Sequence, residues 1–322
     1  MPQGNKKICP MPTEPPGTSN EIPRFLINTV KKVDKKKDFT LVLGFSRRWC
    51  IKPFFEAFNE LKIPMDRCHL LVYCNKDSGI LIDQLKKRTE VYLDAFKSVR
   101  MYCSYRRSIG TMKIKDTDPA HRGKLPFIYA MYTDVLKMVD TTVMVVMEDD
   151  SPPPPNAIMR LLMHMKAYNN KVFVTGIETN RGPHENIKTR LGVHYIKREG
   201  NRILERVSLD PNTKGVVPVD ACGWYCCATT PKIWAAGFKG LDEYFANIPR
   251  FALDMFHTNN IKNMDIPVIA DFEIWCYHME PRTDKILYWG KKQAVPMMDI
   301  WIPEYNVYAE GIVLPKGKRT IE

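Results

Sequence analysis

The chain contains 322 residues, 44% of them hydrophobic and 26% charged, and 48 Lys and Arg against 36 Asp and Glu give a formal net charge of +12. These values exclude a disordered chain, a small disulfide-stabilised scaffold and a fibrous repeat. The length suffices for one large α/β domain or two smaller ones. The charge indicates an anionic partner, and by itself leaves open nucleic acid, anionic lipid or a phosphorylated small molecule.

The nine cysteines are odd in number and irregularly spaced, which predicts reduced thiols. No apolar segment approaches the roughly 18 residues of a membrane span. Residues 1–20 lack the apolar region of a signal peptide. We therefore expect a cytoplasmic protein without integral membrane association.

The first third of the chain predicts an extended arm followed by a strand, a helix and a strand. Residues 1–23 contain six prolines and residues 31–37 are mostly basic, so that 1–38 is predicted to be an extended basic arm. FTLVLGF (39–45) and CHLLVYCN (68–75) have the continuous apolar pattern of buried parallel strands. Apolar residues at helical spacing predict a helix over 53–62 between them.

A second helical stripe, between residues 125 and 136, precedes the apolar strand TTVMVVM at 141–147. This alternation favours right-handed βαβ crossovers and a doubly wound, mostly parallel sheet flanked by helices. Further along the chain, the patterns predict helices near 158–165, 230–236 and 250–262, strands at 171–176 and 215–220, and a hairpin over 193–207.

The most informative segment is residues 141–158, where the apolar strand ends in Glu148, Asp149 and Asp150 and is followed by four prolines. Three adjacent carboxylates at the carboxyl edge of a parallel sheet repel one another, so their burial favours a bound cation. Oxygen ligands favour Mg²⁺ or Mn²⁺, typically with a diphosphate completing the coordination. The alternative is an acidic first turn of the next helix.

This order of strands and helices, with E-D-D before prolines, resembles the nucleotide-diphospho-sugar glycosyltransferases of the GT-A fold. The likeness is greatest to family-2-type enzymes, with EDD as a variant of their DxD motif. It covers roughly residues 39–280 and implies one Rossmann-like α/β domain, an arm over 1–38 and a wrapping tail over 281–322. It also implies a hexosyl- or pentosyltransferase that uses Mn²⁺ or Mg²⁺ and a nucleotide-diphosphate sugar, a UDP-sugar first.

Carried over by position, the resemblance places the donor at the carboxyl ends of the early strands. It makes Asp150 and His278 the metal ligands, and Glu148 or Asp149 the contact to ribose or sugar, with Asp149 also predicted as catalytic. Asp77 is equally typical of a turn, and a basic residue at a helix start can simply be solvated. The remaining donor-binding residues would be Phe45, Ser46, Arg47, Asn75, Asp77, Arg122 and Lys124.

On the acceptor side, the resemblance places Asp220 with Gly223 and Trp224 at the floor of the pocket. Asp254, on an otherwise apolar helix, would be the general base that deprotonates the acceptor hydroxyl if the enzyme inverts. An ordinary helix-surface carboxylate is the alternative, and Asp242 and Glu243 are competitors for the role.

Two other site types are disfavoured. Cys222, Cys226, Cys227, Cys276 and His278 lack the spacing of a zinc knuckle, and buried thiols explain them more simply. Neither G-x-x-x-x-G-K-[ST] nor G-x-G-x-x-G occurs, which argues against a P-loop NTPase or a dinucleotide-binding dehydrogenase.

The positive charge is concentrated. Residues 86–124 contain eleven basic and four acidic residues, and residues 181–206 contain seven and three. Because interleaved aromatic residues could stack on bases, we expect DNA as the acceptor, with a phage-type enzyme glycosylating a hydroxymethylated base in the host cytoplasm. The alternatives are a glycan, lipid-linked or protein acceptor, and an inactive nucleic-acid-binding module.

Overall fold

A computed structural model of the chain describes residues 24–74, 79–103, 134–178, 191–199, 202–239, 252–282, 285–289, 306–309 and 312–313. The helices are α1 (Ile51–Asn59), α2 (Gly79–Glu90), α3 (Ala157–Ala167), α4 (Pro231–Gly237) and α5 (Leu253–Lys262). Residues 134–138 are also helical. The strands are β1 (Arg24–Asn28), β2 (Phe39–Phe45), β3 (Cys68–Cys74), β4 (Ser98–Cys103), β5 (Val143–Glu148), β6 (Phe173–Ile177), β7 (Val193–Glu199), β8 (Arg202–Ser208), β9 (Val216–Pro218), β10 (Ala221–Cys222), β11 (Cys226–Thr229), β12 (Val268–Trp275), β13 (His278–Arg282), β14 (Lys285–Trp289), β15 (Asn306–Ala309) and β16 (Ile312–Val313).

Within these residues the central sheet has nine strands in the order β1-β4-β3-β2-β5-β11-β6-β12-β9. The strands β4, β3, β2 and β5 are parallel to one another, and so are β6 and β12. The strands β1, β11 and β9 run antiparallel to their neighbours. The predicted architecture, an α/β fold with a mostly parallel sheet, is therefore confirmed.

Alternate residues of the buried strands pack into two cores on opposite faces of the sheet, as the two-residue period of a strand requires. Leu41 and Leu43 of β2 face the core that contains α1, α2 and α3. Val42 between them faces the core that contains residues of α4 and α5. Helices on both faces explain why these strands read as continuous apolar runs.

Most predicted elements are found close to their expected positions. β2 matches its prediction, and α1 begins two residues earlier than predicted, so that Pro53 lies in the first turn, where its missing N–H costs no hydrogen bond. Thr230 caps α4, as its side chain accepts a hydrogen bond from the Ile233 amide at 3.2 Å, and Pro231 occupies the first helical position.

Several elements differ from the expectation or add to it. β1 lies within the range predicted as an extended arm and pairs antiparallel with β4. The predicted hairpin is formed by β7 and β8, which pair with β10. The strands β13 to β16 form a separate four-stranded sheet.

No helix in the described ranges has the length and apolar character needed to cross a membrane. The eight cysteines in this part of the chain are buried and are not joined by disulfide bonds.

Candidate active site

The candidate site lies where the order of the parallel strands reverses. β2 pairs with β3 on one side and with β5 on the other. The loops that leave the carboxyl ends of two such strands diverge, and open α/β sheets bind their ligands in the resulting crevice. Residues 46–48 follow β2 at this point, and residues 149–151 follow β5.

Asp149 joins these two loops. Its Oδ2 accepts hydrogen bonds from the backbone amides of Ser46 (2.8 Å) and Arg47 (3.0 Å), and its Oδ1 lies 2.7 Å from Arg47 Nη1. Only 4% of the side chain is exposed. Both carboxylate oxygens are therefore occupied in holding the loop after β2, and they fix Arg47 in place.

Arg47 also reaches Asp150, whose Oδ2 lies 2.5 Å from the same Nη1. Burial opposes the charge of the guanidinium, but the acidic neighbours, Asp149 first, raise the pKa of Arg47 above its ordinary value. Arg47 is thus a firmly charged cation shared by two buried carboxylates.

His278, the first residue of β13, lies between two carboxylates from distant parts of the chain. Its Nδ1 is 2.6 Å from Glu178 Oε1, and its Nε2 is 3.7 Å from Asp150 Oδ2. The residues before and after His278 donate backbone hydrogen bonds to the carbonyls of Pro152 (3.0 Å) and Asp150 (2.8 Å). The imidazole is therefore carried by backbone that is bonded directly to the loop after β5.

Glu178, which was not among the predicted site residues, follows β6 and has a side chain only 1% exposed. Burial raises the pKa of Glu178, although His278 beside it acts in the opposite direction. Glu178 Oε2 is buried, and none of the described residues donates a hydrogen bond to it with normal geometry. The nearby Ser151 hydroxyl nevertheless contributes to lowering the pKa of Glu178. Glu178 is recognisable only in three dimensions, because a single Glu after a strand carries no motif.

Acidic residues from three segments influence one another at this edge. Burial, together with the charges of Glu178 and Asp254, raises the pKa of Glu148 to about 7, and Arg47 acts in the opposite direction. Asp254 lies in the first turn of α5, where it also accepts a hydrogen bond from the Met255 amide at 2.8 Å. The predicted general base and the EDD segment are therefore close enough to interact electrostatically.

The ring of Tyr225 lies against the same acidic group, in a slot between two glycines. A Cβ at either Gly192 or Gly223 would overlap the Tyr225 ring, so only glycine fits at these positions. Burial raises the pKa of Tyr225 well above its ordinary value, and the charges of Glu178 and Asp254 add to the effect. Gly223 thus helps to form the site by making space for a tyrosine.

Asp220 and Trp224 make internal contacts. Asp220 Oδ2 accepts a hydrogen bond from the Ile196 amide at 2.9 Å, and the Asp220 carbonyl accepts one from Asn259 Nδ2 at 3.0 Å. Trp224 is 2% exposed and donates through Nε1 to His257 Nδ1 at 3.2 Å. Burial lowers the pKa of His257 to about 3, so this histidine is neutral. These contacts tie α5 and the β7–β8 hairpin to the sheet.

The remaining predicted residues lie either in the hydrophobic core or outside the described residues. The Phe45 side chain is buried and packs on Phe54 and Phe55, with ring centroids 5.1 and 5.5 Å away. The donor-side candidates Asn75, Asp77, Arg122 and Lys124, and the competing acids Asp242 and Glu243, lie outside the described residues. Their roles remain predictions.

The described ranges contain no group of three or more His, Cys, Asp or Glu that could hold a metal ion. Asp150 and His278 face each other, but they make a pair rather than a cage. Mg²⁺ commonly takes one or two carboxylates and completes its coordination with water and substrate phosphates. The pair therefore fits a cation whose coordination is completed by water and by a diphosphate.

No protein-family model and no curated protein matches this chain. Solved structures do match, among them the mannosyltransferase PcManGT of Pyrobaculum calidifontis in complex with GDP-Man and Mn²⁺, at 12% identity and a TM-score of 0.43 over 75% of this chain and 60% of that one. Another is residues 1–349 of S. aureus TarS, at 11% identity and a TM-score of 0.39 over 72% and 57%. Both alignments span less than two thirds of the matched chains, and similarities this weak assign no activity.

Proposed function

We propose that the protein is a glycosyltransferase that moves a sugar from a nucleotide-diphosphate donor to a hydroxyl acceptor. The observation that carries the proposal is the meeting of charged residues from distant segments at the strand-order reversal. Arg47 and Asp150 are in contact, His278 lies 3.7 Å from Asp150, and the charge of Asp254 acts on Glu148. This set combines a cation for a diphosphate, carboxylates for a metal ion and a carboxylate for a hydroxyl proton.

On the donor side, the Arg47 guanidinium and the loop of Ser46 would face the nucleotide, a UDP-sugar first. Asp149 would act through Arg47, because both of its oxygens already hold that residue and its loop. Glu148 would contact the ribose or the sugar. Its pKa of about 7 lets it donate or accept a hydrogen bond near neutral pH.

Asp150 and His278 would hold Mn²⁺ or Mg²⁺ together with the donor diphosphate. When bound, such a cation supplies Lewis-acid stabilisation to the departing diphosphate. Asp254 would accept the proton of the acceptor hydroxyl as general base. The support is its place in the first turn of α5 and the effect of its charge on Glu148 and Tyr225.

As acceptor we propose a hydroxymethylated base in DNA. The support is the basic excess in residues 86–124 and 181–206, and an exposed aromatic on the β7–β8 hairpin, Tyr195, which is 43% exposed and available for stacking. Part of the charge is internally compensated, since Lys197 pairs with Glu205 at 2.7 Å. A groove for a single extruded base needs only a local basic rim.

The test is transfer to hydroxymethylated and unmodified DNA from a panel of nucleotide sugars with Mn²⁺, followed by mass spectrometry, for wild type and for Asp150→Asn. We expect a mass increase on hydroxymethylated DNA with wild type only, and weaker DNA binding at higher salt. Transfer to a glycan, lipid-linked or protein acceptor instead would support a glycosyltransferase and contradict DNA as its acceptor. DNA binding without turnover of any donor would identify an inactive binding module and contradict the proposal.

A further inference from the structure

The contact of Glu178 with His278 gives this glutamate a role of its own. We propose that Glu178 is the positioning residue of His278: it accepts a hydrogen bond from the Nδ1–H group of the imidazole and thereby directs Nε2 toward Asp150. The inference rests on the proposed function, because it makes Nε2 a ligand of the divalent cation shared with the donor. It adds a residue that no sequence motif identifies.

The two contacts of the imidazole differ in a way that fixes its orientation. Nδ1 lies 2.6 Å from Glu178 Oε1, a short hydrogen bond, whereas Nε2 lies 3.7 Å from Asp150 Oδ2. An imidazole that donates through Nδ1 has its Nε2 lone pair available to a cation. A carboxylate behind a metal-binding histidine is the usual means of fixing its tautomer and ring orientation.

The backbone around Glu178 holds it opposite His278. The Cys276 amide donates to the Ile177 carbonyl at 2.8 Å, which joins the residue before Glu178 to the segment that leads into His278. Gly176 permits this close approach, since a Cβ there would lie 2.7 Å from the Ile274 carbonyl oxygen. Glu178 and His278 are therefore presented to each other by two directly bonded segments.

A structural ion pair is the competing explanation, and it makes a different prediction. If Glu178 only stabilises the fold, its removal affects cation binding equally with or without the His278 imidazole. If Glu178 acts by orienting that imidazole, its removal has no further effect once the imidazole is gone. A double-mutant cycle separates the two cases.

The experiment titrates Mn²⁺ alone into the full chain and follows free Mn²⁺ by electron paramagnetic resonance. Wild type, Glu178→Ala, Glu178→Gln, His278→Ala and the Glu178→Ala/His278→Ala double variant are compared, with the exposed Glu273→Gln on β12 as matched control. We expect Glu178→Ala to raise the Kd for Mn²⁺ about 10- to 100-fold. Glu178→Gln is expected to retain most of the Mn²⁺ affinity, because the amide oxygen still accepts a hydrogen bond from His278 Nδ1–H.

The double variant is expected to bind Mn²⁺ no more weakly than His278→Ala, with the control unchanged and thermal melts showing folded protein throughout. An unchanged Kd in Glu178→Ala, or an equal loss in both backgrounds, overturns the inference. Wild type that binds no Mn²⁺ overturns it as well. Sugar transfer is then assayed on the same samples with EDTA and with Mn²⁺. Transfer without Mn²⁺ binding would overturn the role of Glu178 and leave the proposed function standing. The expected double-mutant cycle without any sugar transfer would refute only the proposed function.

Discussion

Two buried groups of charged side chains lie at opposite edges of the central sheet, and they are neutralised to different degrees. At the amino edge of β2, β3 and β4, Asp38 accepts a hydrogen bond from Lys97 Nζ at 2.6 Å and lies 3.2 Å from His69 Nε2. The other nitrogen of His69 is 2.6 Å from Ser98 Oγ. Although burial acts to raise the pKa of Asp38, these partners lower it below its ordinary value.

At the carboxyl edge the balance is reversed. Among the described residues, five carboxylates lie near the single guanidinium of Arg47, and the pKa values of Glu148 and Glu178 are raised. The five are Glu148, Asp149, Asp150, Glu178 and Asp254. The amino edge therefore contributes stability, whereas the carboxyl edge has carboxylates in excess of its cations. Excess charge of this kind is typical of functional sites.

The largest effect is expected from Asp254→Asn, which removes the proposed base and keeps its shape. We expect a loss of about 10³-fold in kcat for sugar transfer. Stability stays equal or rises, because the charge of Asp254 opposes ionisation of Glu148. Steady-state kinetics and urea unfolding measure the two quantities, and a variant that loses stability with unchanged kcat would assign Asp254 to the fold.

The matching change at the other edge is Asp38→Asn. It leaves Lys97 without its buried partner and is expected to lower the free energy of unfolding by about 3 kcal/mol. Activity per folded molecule remains the same. Urea unfolding combined with activity assays checks both; a large loss of kcat at full stability would remove the distinction between the two edges.

The pH dependence of the unfolding free energy gives a second test of the role of Asp38. The folded pKa of Asp38 lies below 3.8, so its contribution is present above that value and is lost as the pH falls through the folded pKa. The difference in unfolding free energy between wild type and Asp38→Asn should therefore be constant near pH 6 and shrink below about pH 4. A difference that grows on acidification would mean that folding raises the pKa of Asp38 instead of lowering it.

Gly176→Ala tests how closely the carboxyl edge is assembled. The added methyl would lie 2.6 Å from Ile274 Cγ2 as well as close to the Ile274 carbonyl, and we expect a loss of about 1–3 kcal/mol. Mn²⁺ affinity should fall with it, because Glu178 moves away from His278. Denaturant unfolding and the Mn²⁺ titration measure both, and unchanged values would show that the two strands separate without cost.

The smallest effect is expected remote from both edges, at the cap of α4. Thr230→Ala removes the hydrogen bond to the Ile233 amide and should cost about 1 kcal/mol without changing kcat. Thermal unfolding and the transfer assay provide the comparison. A fall in kcat would mean that α4 influences the site through its packing on α5.

The sequence predicted those parts of the fold whose patterns are local. β2 and β3 are continuous apolar runs covered on both faces, and Thr230 with Pro231 is a complete helix start. α2 was not predicted, because its buried positions lie among charged residues. β4 was missed as well, since Arg100 interrupts its apolar pattern and bonds the Met138 carbonyl instead.

The candidate site, too, was predictable only where its sequence pattern is local. The EDD segment stands out because three acids follow an apolar strand, and the topology then places the loop of Arg47 beside it. Glu178 and Tyr225 carry no such signal: one is a single acid after a strand, and the other depends on two glycines that meet only in the folded chain.

We expect that a ligand binds at the carboxyl edge and that the amino edge supports the fold. Thermal unfolding with and without a nucleotide-diphosphate sugar and Mn²⁺ tests it most directly in wild type, Asp150→Asn and Asp38→Asn. At a ligand concentration of about 100 Kd we expect about 2.7 kcal/mol of added stability for wild type and for Asp38→Asn, and almost none for Asp150→Asn. Equal stabilisation of all three proteins, or none in wild type with any donor, would contradict it.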